Sequence, residues 1–154
     1  MLSWCDRGLD KLTLKVNQTF CKISIKEKKI YMPTILVVED EPNVRKLVTV
    51  NLAQRGYRVL EAGNGQQAWE QLNNQKPALL ILDIKLPDLS GWDILDKLGS
   101  IQALPTDLPV VVMTATPVNH NTLLNQYPCI VEILVKPFDI DKLITAVQHA
   151  LLKS

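Results

Sequence analysis

The sequence predicts an α/β fold built on a parallel sheet. From Thr34 onward, short apolar runs recur five times, and each is followed by an amphipathic stretch at helical spacing. Most of the runs are almost continuously apolar, as expected of strands covered by helices on both faces.

The first strand is expected at residues 34–38, in "TILVV". Val44, Leu47, Val48 and Leu52 then repeat at helical spacing, and Gly56 stops that helix. Asp40, just before Pro42, is a good N-cap for it, with proline in the first turn. A second strand is expected at 57–60. Asn64 can cap the next helix, which carries Ala68, Trp69 and Leu72. Strand three is expected at 78–82 with a helix at 91–98, strand four at 109–113 with a helix at 117–126, and strand five at 130–135. The last helix, 139–152, carries Leu143, Ile144, Val147, Ala150 and Leu151 at the period of a buried stripe.

A chain of 154 residues suits one ordinary domain. The folded unit is expected over 33–154, with no second folded domain after it. Residues 1–32 form an N-terminal extension outside the repeat: "LTLKVNQTFCKISIKEKKIY" alternates weakly and then becomes basic at Lys26, Lys28 and Lys29. An upstream translation that the native protein lacks, a flexible tail and a strand pair lying on the domain all remain open for it.

The net charge of +1, from 17 basic and 16 acidic residues, offers no global attraction to nucleic acid or an anionic membrane, and neither is expected as a partner. Cys5, Cys21 and Cys129 are odd in number, widely spaced and without a CxxC pair, which suits free thiols in a reducing, cytoplasmic setting. No apolar run approaches the roughly 18–20 residues of a membrane span.

"PTILVVEDEP" raises the functional question, because an apolar strand ends directly in Glu39, Asp40 and Glu41. Three neighbouring carboxylates repel one another unless positive charge sits among them. In an open parallel α/β sheet, ligands bind beyond the carboxyl ends of the strands. Those ends carry Glu39 and Asp40, then Asp83, then Thr114 with Ala115, then Lys136 with Pro137. Each has a bland reading alone: a helix cap, a packed threonine, a loop lysine. Together they share one mouth, and oxygen ligands from Asp40 and Asp83 suit magnesium.

"ILVVEDEP", "LLILDIKLPDLSG", "VVMTA" and "LVKPFD" resemble, in order and spacing, the response-regulator receiver domain of two-component signalling, chemotaxis-regulator-like in its extent. The resemblance covers residues 33–152. It implies a flavodoxin-like three-layer sandwich: a five-stranded parallel sheet of order 2-1-3-4-5 with five helices. It also implies that Asp83 accepts a phosphoryl group from a sensor histidine kinase or histidine phosphotransfer protein, with Mg2+ as cofactor. Asp40, Asp83 and the backbone carbonyl of Lys85 would bind the metal directly, and Glu39 through water. Lys136 and the metal would offset phosphoryl charge, Thr114 would hydrogen-bond a phosphoryl oxygen, and Ala115 would leave room and donate its amide.

The expected function is a stand-alone receiver, not an enzyme acting on a separate substrate, that signals by phosphorylation-dependent binding to an unknown downstream protein. The alternative is a receiver-like interaction module not regulated by phosphorylation. A dehalogenase-type phosphatase would need a second acid where Lys85 stands, and a nucleotide binder would need a Gly- or Thr-rich loop where Glu39, Asp40 and Glu41 stand. The sequence departs from the family at one switch position. Receivers usually place a ring three residues before the motif lysine, and here Ile133 stands there. His120 and His149 read as surface residues, Trp69 and Trp92 as packing residues, and Cys129 as a small buried residue.

Overall fold

The computed structural model describes residues 31–100 and 107–153. The expectations for residues 1–30, including Cys5, Cys21 and the basic patch, lie outside the described residues. Among the described residues five strands and five helices alternate: β1 Thr34–Val38, α1 Pro42–Gln54, β2 Arg58–Ala62, α2 Gly65–Gln75, β3 Leu79–Asp83, α3 Gly91–Ser100, β4 Val110–Thr114, α4 His120–Gln126, β5 Ile130–Val135 and α5 Ile140–Lys153. The sheet is wholly parallel and runs β2-β1-β3-β4-β5, the flavodoxin-like order.

The apolar runs are continuous because both faces of the inner strands are covered. Ile35, Val37, Leu79, Ile81, Val111 and Met113 face one way and pack with Val48 and Leu52 of α1 and Leu143, Val147 and Ala150 of α5. Their neighbours Leu36, Val38, Leu80, Leu82, Val110 and Val112 face the other way, against Ala68, Leu72, Ile94 and Leu95 of α2 and α3. Two cores thus clamp the sheet, and β1, β3 and β4 are buried almost throughout. At the edge, β2 is less completely covered and exposes Arg58 and Glu61.

Element ends differ from the sequence reading in instructive ways. The N-cap of α1 is Glu41, in extended conformation, because its carbonyl accepts the first helical bond from Arg45 N at 2.9 Å; Asp40 lies one residue outside. Gly56, at φ +88°, ends that helix in the left-handed region as expected. Tyr57 N still donates to Leu52 O at 3.3 Å, so Tyr57 closes the helix and β2 starts one residue later than predicted. Asn64 caps α2 by accepting from Gln67 N. Helix α4 starts at His120, three residues after the predicted start, because Asn119 supplies the cap by accepting from Thr122 N. His120 and His149 are exposed, whereas Cys129 is only partly buried, short of the full burial expected. Trp92 stacks on Tyr127 with ring centroids 5.7 Å apart, and Lys97 lies over Trp69, so both tryptophans pack within the fold.

Candidate functional site

Register brings the strand ends together. Val38 pairs with Leu82, Asp83 with Met113, and Thr114 with Val135, so the residues that follow each strand emerge at one edge. Glu39, Asp40 and Asp83 each offer a carboxylate oxygen within 4.8 Å of the others; Glu39 and Asp83 are buried and Asp40 is exposed.

Lys136 supplies the positive charge the sequence demanded. Its Nζ donates to Glu39 Oε2 at 2.6 Å and to Asp83 Oδ2 at 2.8 Å. The remaining oxygens take backbone amides: Glu41 N donates to Glu39 Oε1 at 3.2 Å, and Lys85 N donates to Asp83 Oδ1 at 3.1 Å. Burial lifts the Glu39 carboxyl from 4.5 to about 6 although the Lys136 hydrogen bond opposes the rise, and the charge of Asp83 adds to it. Burial alone would lower the Lys136 ammonium, but its hydrogen bonds to Asp83 and Glu39 outweigh that and hold it above its usual value. Lys136 is therefore a permanent cation at neutral pH, and Glu39 is a carboxylate whose proton affinity is raised.

Thr114 is buried at the end of β4. Its Oγ1 donates to Thr116 O at 3.1 Å and accepts from Thr116 N at 3.2 Å, while exposed Ala115 lies between them. The structure thus brings Glu39, Asp40, Asp83 and Lys136 into one cluster and sets Thr114 and Ala115 on the adjacent strand end, the hydroxyl engaged within its own turn. Lys85 is exposed, with its amide committed to Asp83. Ile133 is 4% exposed and packs in the α2–α3 core opposite Val112.

Gly91 shapes the site from below. A Cβ there would meet Asp83 O at 2.7 Å and Ile84 Cα at 2.8 Å, so only glycine lets α3 start against the backbone at the end of β3. Asp88 fastens the intervening loop, because its two oxygens accept from Gly65 N at 2.7 Å and Gln66 N at 2.9 Å at the opening of α2. Asp88 and Arg45 were not singled out from the sequence. Arg45 carries one weak signal: a cation in the opening turn of a helix runs against the dipole preference.

Residues 35–148 match the family model described as the response regulator receiver domain. A probable transcriptional regulatory protein of Mycobacterium tuberculosis, TcrX, is 33% identical over 111 residues, which cover 72% of this chain and 46% of that protein. Response regulator Rre1 of Synechocystis is 36% identical over 119 residues, covering 77% of this chain and 51% of that protein. The chain therefore spans about half the length of these curated relatives. Among solved structures, response regulator TrrA of Thermotoga maritima, in complex with magnesium and beryllofluoride, superposes with a TM-score of 0.67 at 32% identity, covering 78% of this chain and all of that one. The receiver domain of a putative repressor from Vibrio parahaemolyticus gives 0.70 at 29% identity, covering 79% of this chain and 92% of that one. The strand order, the acidic cluster with its lysine and the family match agree: this chain belongs to the response regulator receiver family.

Proposed function

We propose that the domain takes a phosphoryl group onto Asp83 in a magnesium-dependent reaction and signals by binding another protein differently once phosphorylated. The single observation that carries this reading is the placement of Asp83, buried, in contact with the ammonium of Lys136 and beside the carboxylates of Glu39 and Asp40.

The donor set fits magnesium. It is all oxygen, two carboxylates lie beside an exposed third, and the exposed one leaves room for retained water. Asp40 and Asp83 would hold the ion with the carbonyl of Lys85, and Glu39 would act through water. When bound, magnesium offsets charge on the phosphoryl oxygens and on the two acids. The relative crystallised with magnesium and beryllofluoride supports this assignment.

The chain's own residues do the rest. An Asp83 carboxylate oxygen attacks phosphorus, the P–N bond of a phosphohistidine breaks, and the imidazole leaves with a proton from solvent. Lys136 already touches Asp83 and can follow the charge from carboxylate to phosphoryl oxygen. Thr114 exchanges its bonds within the Thr116 turn for a phosphoryl oxygen, which couples occupancy to the β4–α4 loop. Glu39 keeps Lys136 in place from the buried side. The phosphate donor is a sensor histidine kinase or histidine phosphotransfer protein. The domain is a phosphoacceptor that reacts only at its own aspartate, and its setting is cytoplasmic, in keeping with the lack of any membrane-length apolar helix among the described residues.

Calorimetry with magnesium, followed by beryllofluoride, tests this reading. Wild type is expected to bind both and Asp40→Ala to bind magnesium weakly; a wild type that binds neither overturns it. A pull-down with and without beryllofluoride then identifies the protein that reads the signal.

A further inference from the structure

Arg45 reaches back from the opening of α1 over the loop that carries the acids. Its Nη1 donates to the Glu39 carbonyl at 2.6 Å and to the Asp40 carbonyl at 3.4 Å. Its Nε lies 3.3 Å from Glu61 Oε2 on β2, and its side chain is 21% exposed. Gly63 follows β2, and a Cβ there would come within 3.2 Å of the same Nη1. One guanidinium thus ties two consecutive carbonyls to the neighbouring strand, along a path that a bare backbone keeps clear.

We propose that Arg45 is a positioning residue that fixes the Glu39–Asp40 backbone so that the Asp40 carboxylate faces a divalent cation beside Asp83. This rests on the magnesium reading above. The planar fork suits the task, because it can donate to main-chain oxygens and pair with a carboxylate at the same time, whereas a lysine ammonium is a single point charge. The outer partners of metal ligands set ligand orientation in the same way.

Charge and geometry predict opposite signs here, which makes the inference decidable. As a bare cation near three acids, Arg45 repels magnesium, and its removal would tighten binding. As a clamp it pre-orders a ligand, and its removal weakens binding. Magnesium affinity is measured by calorimetry for wild type, Arg45→Gln, Arg45→Lys and Gly63→Ala, alongside amide spectra of the metal-free proteins. Arg45→Lys keeps the charge and the aliphatic stem, and Gly63→Ala keeps every charge while crowding the guanidinium.

Arg45→Gln and Arg45→Lys are expected to lose about tenfold in magnesium affinity, and Gly63→Ala to lose less. The Asp40 amide nitrogen, which shares its peptide group with the Glu39 carbonyl, is expected to shift in all three metal-free spectra. Unchanged or tighter binding by Arg45→Gln, or wild-type affinity in Arg45→Lys, overturns the proposal. Should Arg45→Gln fail to fold, the other two variants decide. If wild type itself binds no magnesium, the functional reading fails, and an unmoved Asp40 resonance separately removes the clamp.

Discussion

Lys136 and Glu39 stand 97 positions apart in sequence, yet Lys136 Nζ lies 2.6 Å from Glu39 Oε2 in the buried floor of the site. The contact joins the two outer sides of the mouth; Glu39 is completely buried there, and that burial lifts its carboxyl to about 6 against the pull of Lys136.

That raised value makes metal-free stability depend on pH. A carboxyl whose folded value exceeds its ordinary 4.5 contributes stability fully below 4.5, and loses it as pH rises through about 6. At 1.36 kcal/mol per pH unit the loss is about 2 kcal/mol. Denaturant melts without magnesium are expected to show wild type falling by about that amount relative to Glu39→Gln between those limits. Parallel curves for the two proteins would show that Glu39 ionises in the fold as it does in the unfolded chain.

Asp88 gives the opposite sign. The Gly65 amide above all holds its carboxyl below the ordinary 3.8; burial opposes this, and the Gln66 and Leu89 amides add to the lowering. Its stabilisation is present above 3.8 and is lost as pH falls through the lower folded value. Asp88→Ala is expected to cost about 1 kcal/mol at neutral pH, as for a lost helix cap. The difference from wild type should close in strong acid, which paired melts at neutral and acid pH would measure.

Gly91 abuts the backbone of Asp83, the proposed phosphoryl acceptor. Its added Cβ in Gly91→Ala would press on Asp83 O and Ile84 Cα, backbone atoms that cannot rotate away. A loss of about 1–3 kcal/mol is expected, together with slower phosphorylation of Asp83 under saturating phosphodonor. An unchanged melt and an unchanged rate would mean that α3 shifts freely against β3.

Most of this architecture was legible in the sequence because fully covered strands announce themselves as unbroken apolar runs, and because Glu39, Asp40, Asp83 and Lys136 follow such runs immediately. The edge strand was harder. Arg58 and Glu61 interrupt the apolar pattern because they face solvent, so the start and end of β2 were both set too early. The sequence extends α4 over residues 117–119, because a loop proline and a first-turn proline look alike in it; in the structure Asn119 caps the helix. Arg45 and Asp88 were missed for a common reason. Both act on main-chain atoms, the carbonyls 5 and 6 positions before Arg45 and the amides 22 and 23 positions before Asp88, and a side chain that bonds backbone has no partner residue type to be read from the sequence.

Ile133 would bear on how far the proposed phosphorylation signal travels. It is buried opposite Val112 and is β-branched, with few rotamers and no polar tip to satisfy in solvent. It is expected to stay packed in both states, since a switch moves only as far as its two states differ in contacts. The change across residues 117–135 on adding magnesium and beryllofluoride should therefore be small, and Ile133→Tyr should enlarge it. Chemical-shift differences in both proteins provide the check; large shifts in wild type that the tyrosine does not exceed would remove Ile133 from the account.

Every role proposed for the site turns on Asp83 as the phosphoryl acceptor. The most direct test is the intact mass of wild type and Asp83→Asn after incubation with acetyl phosphate, with and without magnesium, followed by a rapid quench. A single added phosphoryl group is expected in wild type, only when magnesium is present, and none in Asp83→Asn. An equal extent of phosphorylation in the mutant, or phosphorylation of wild type indifferent to magnesium, would contradict it.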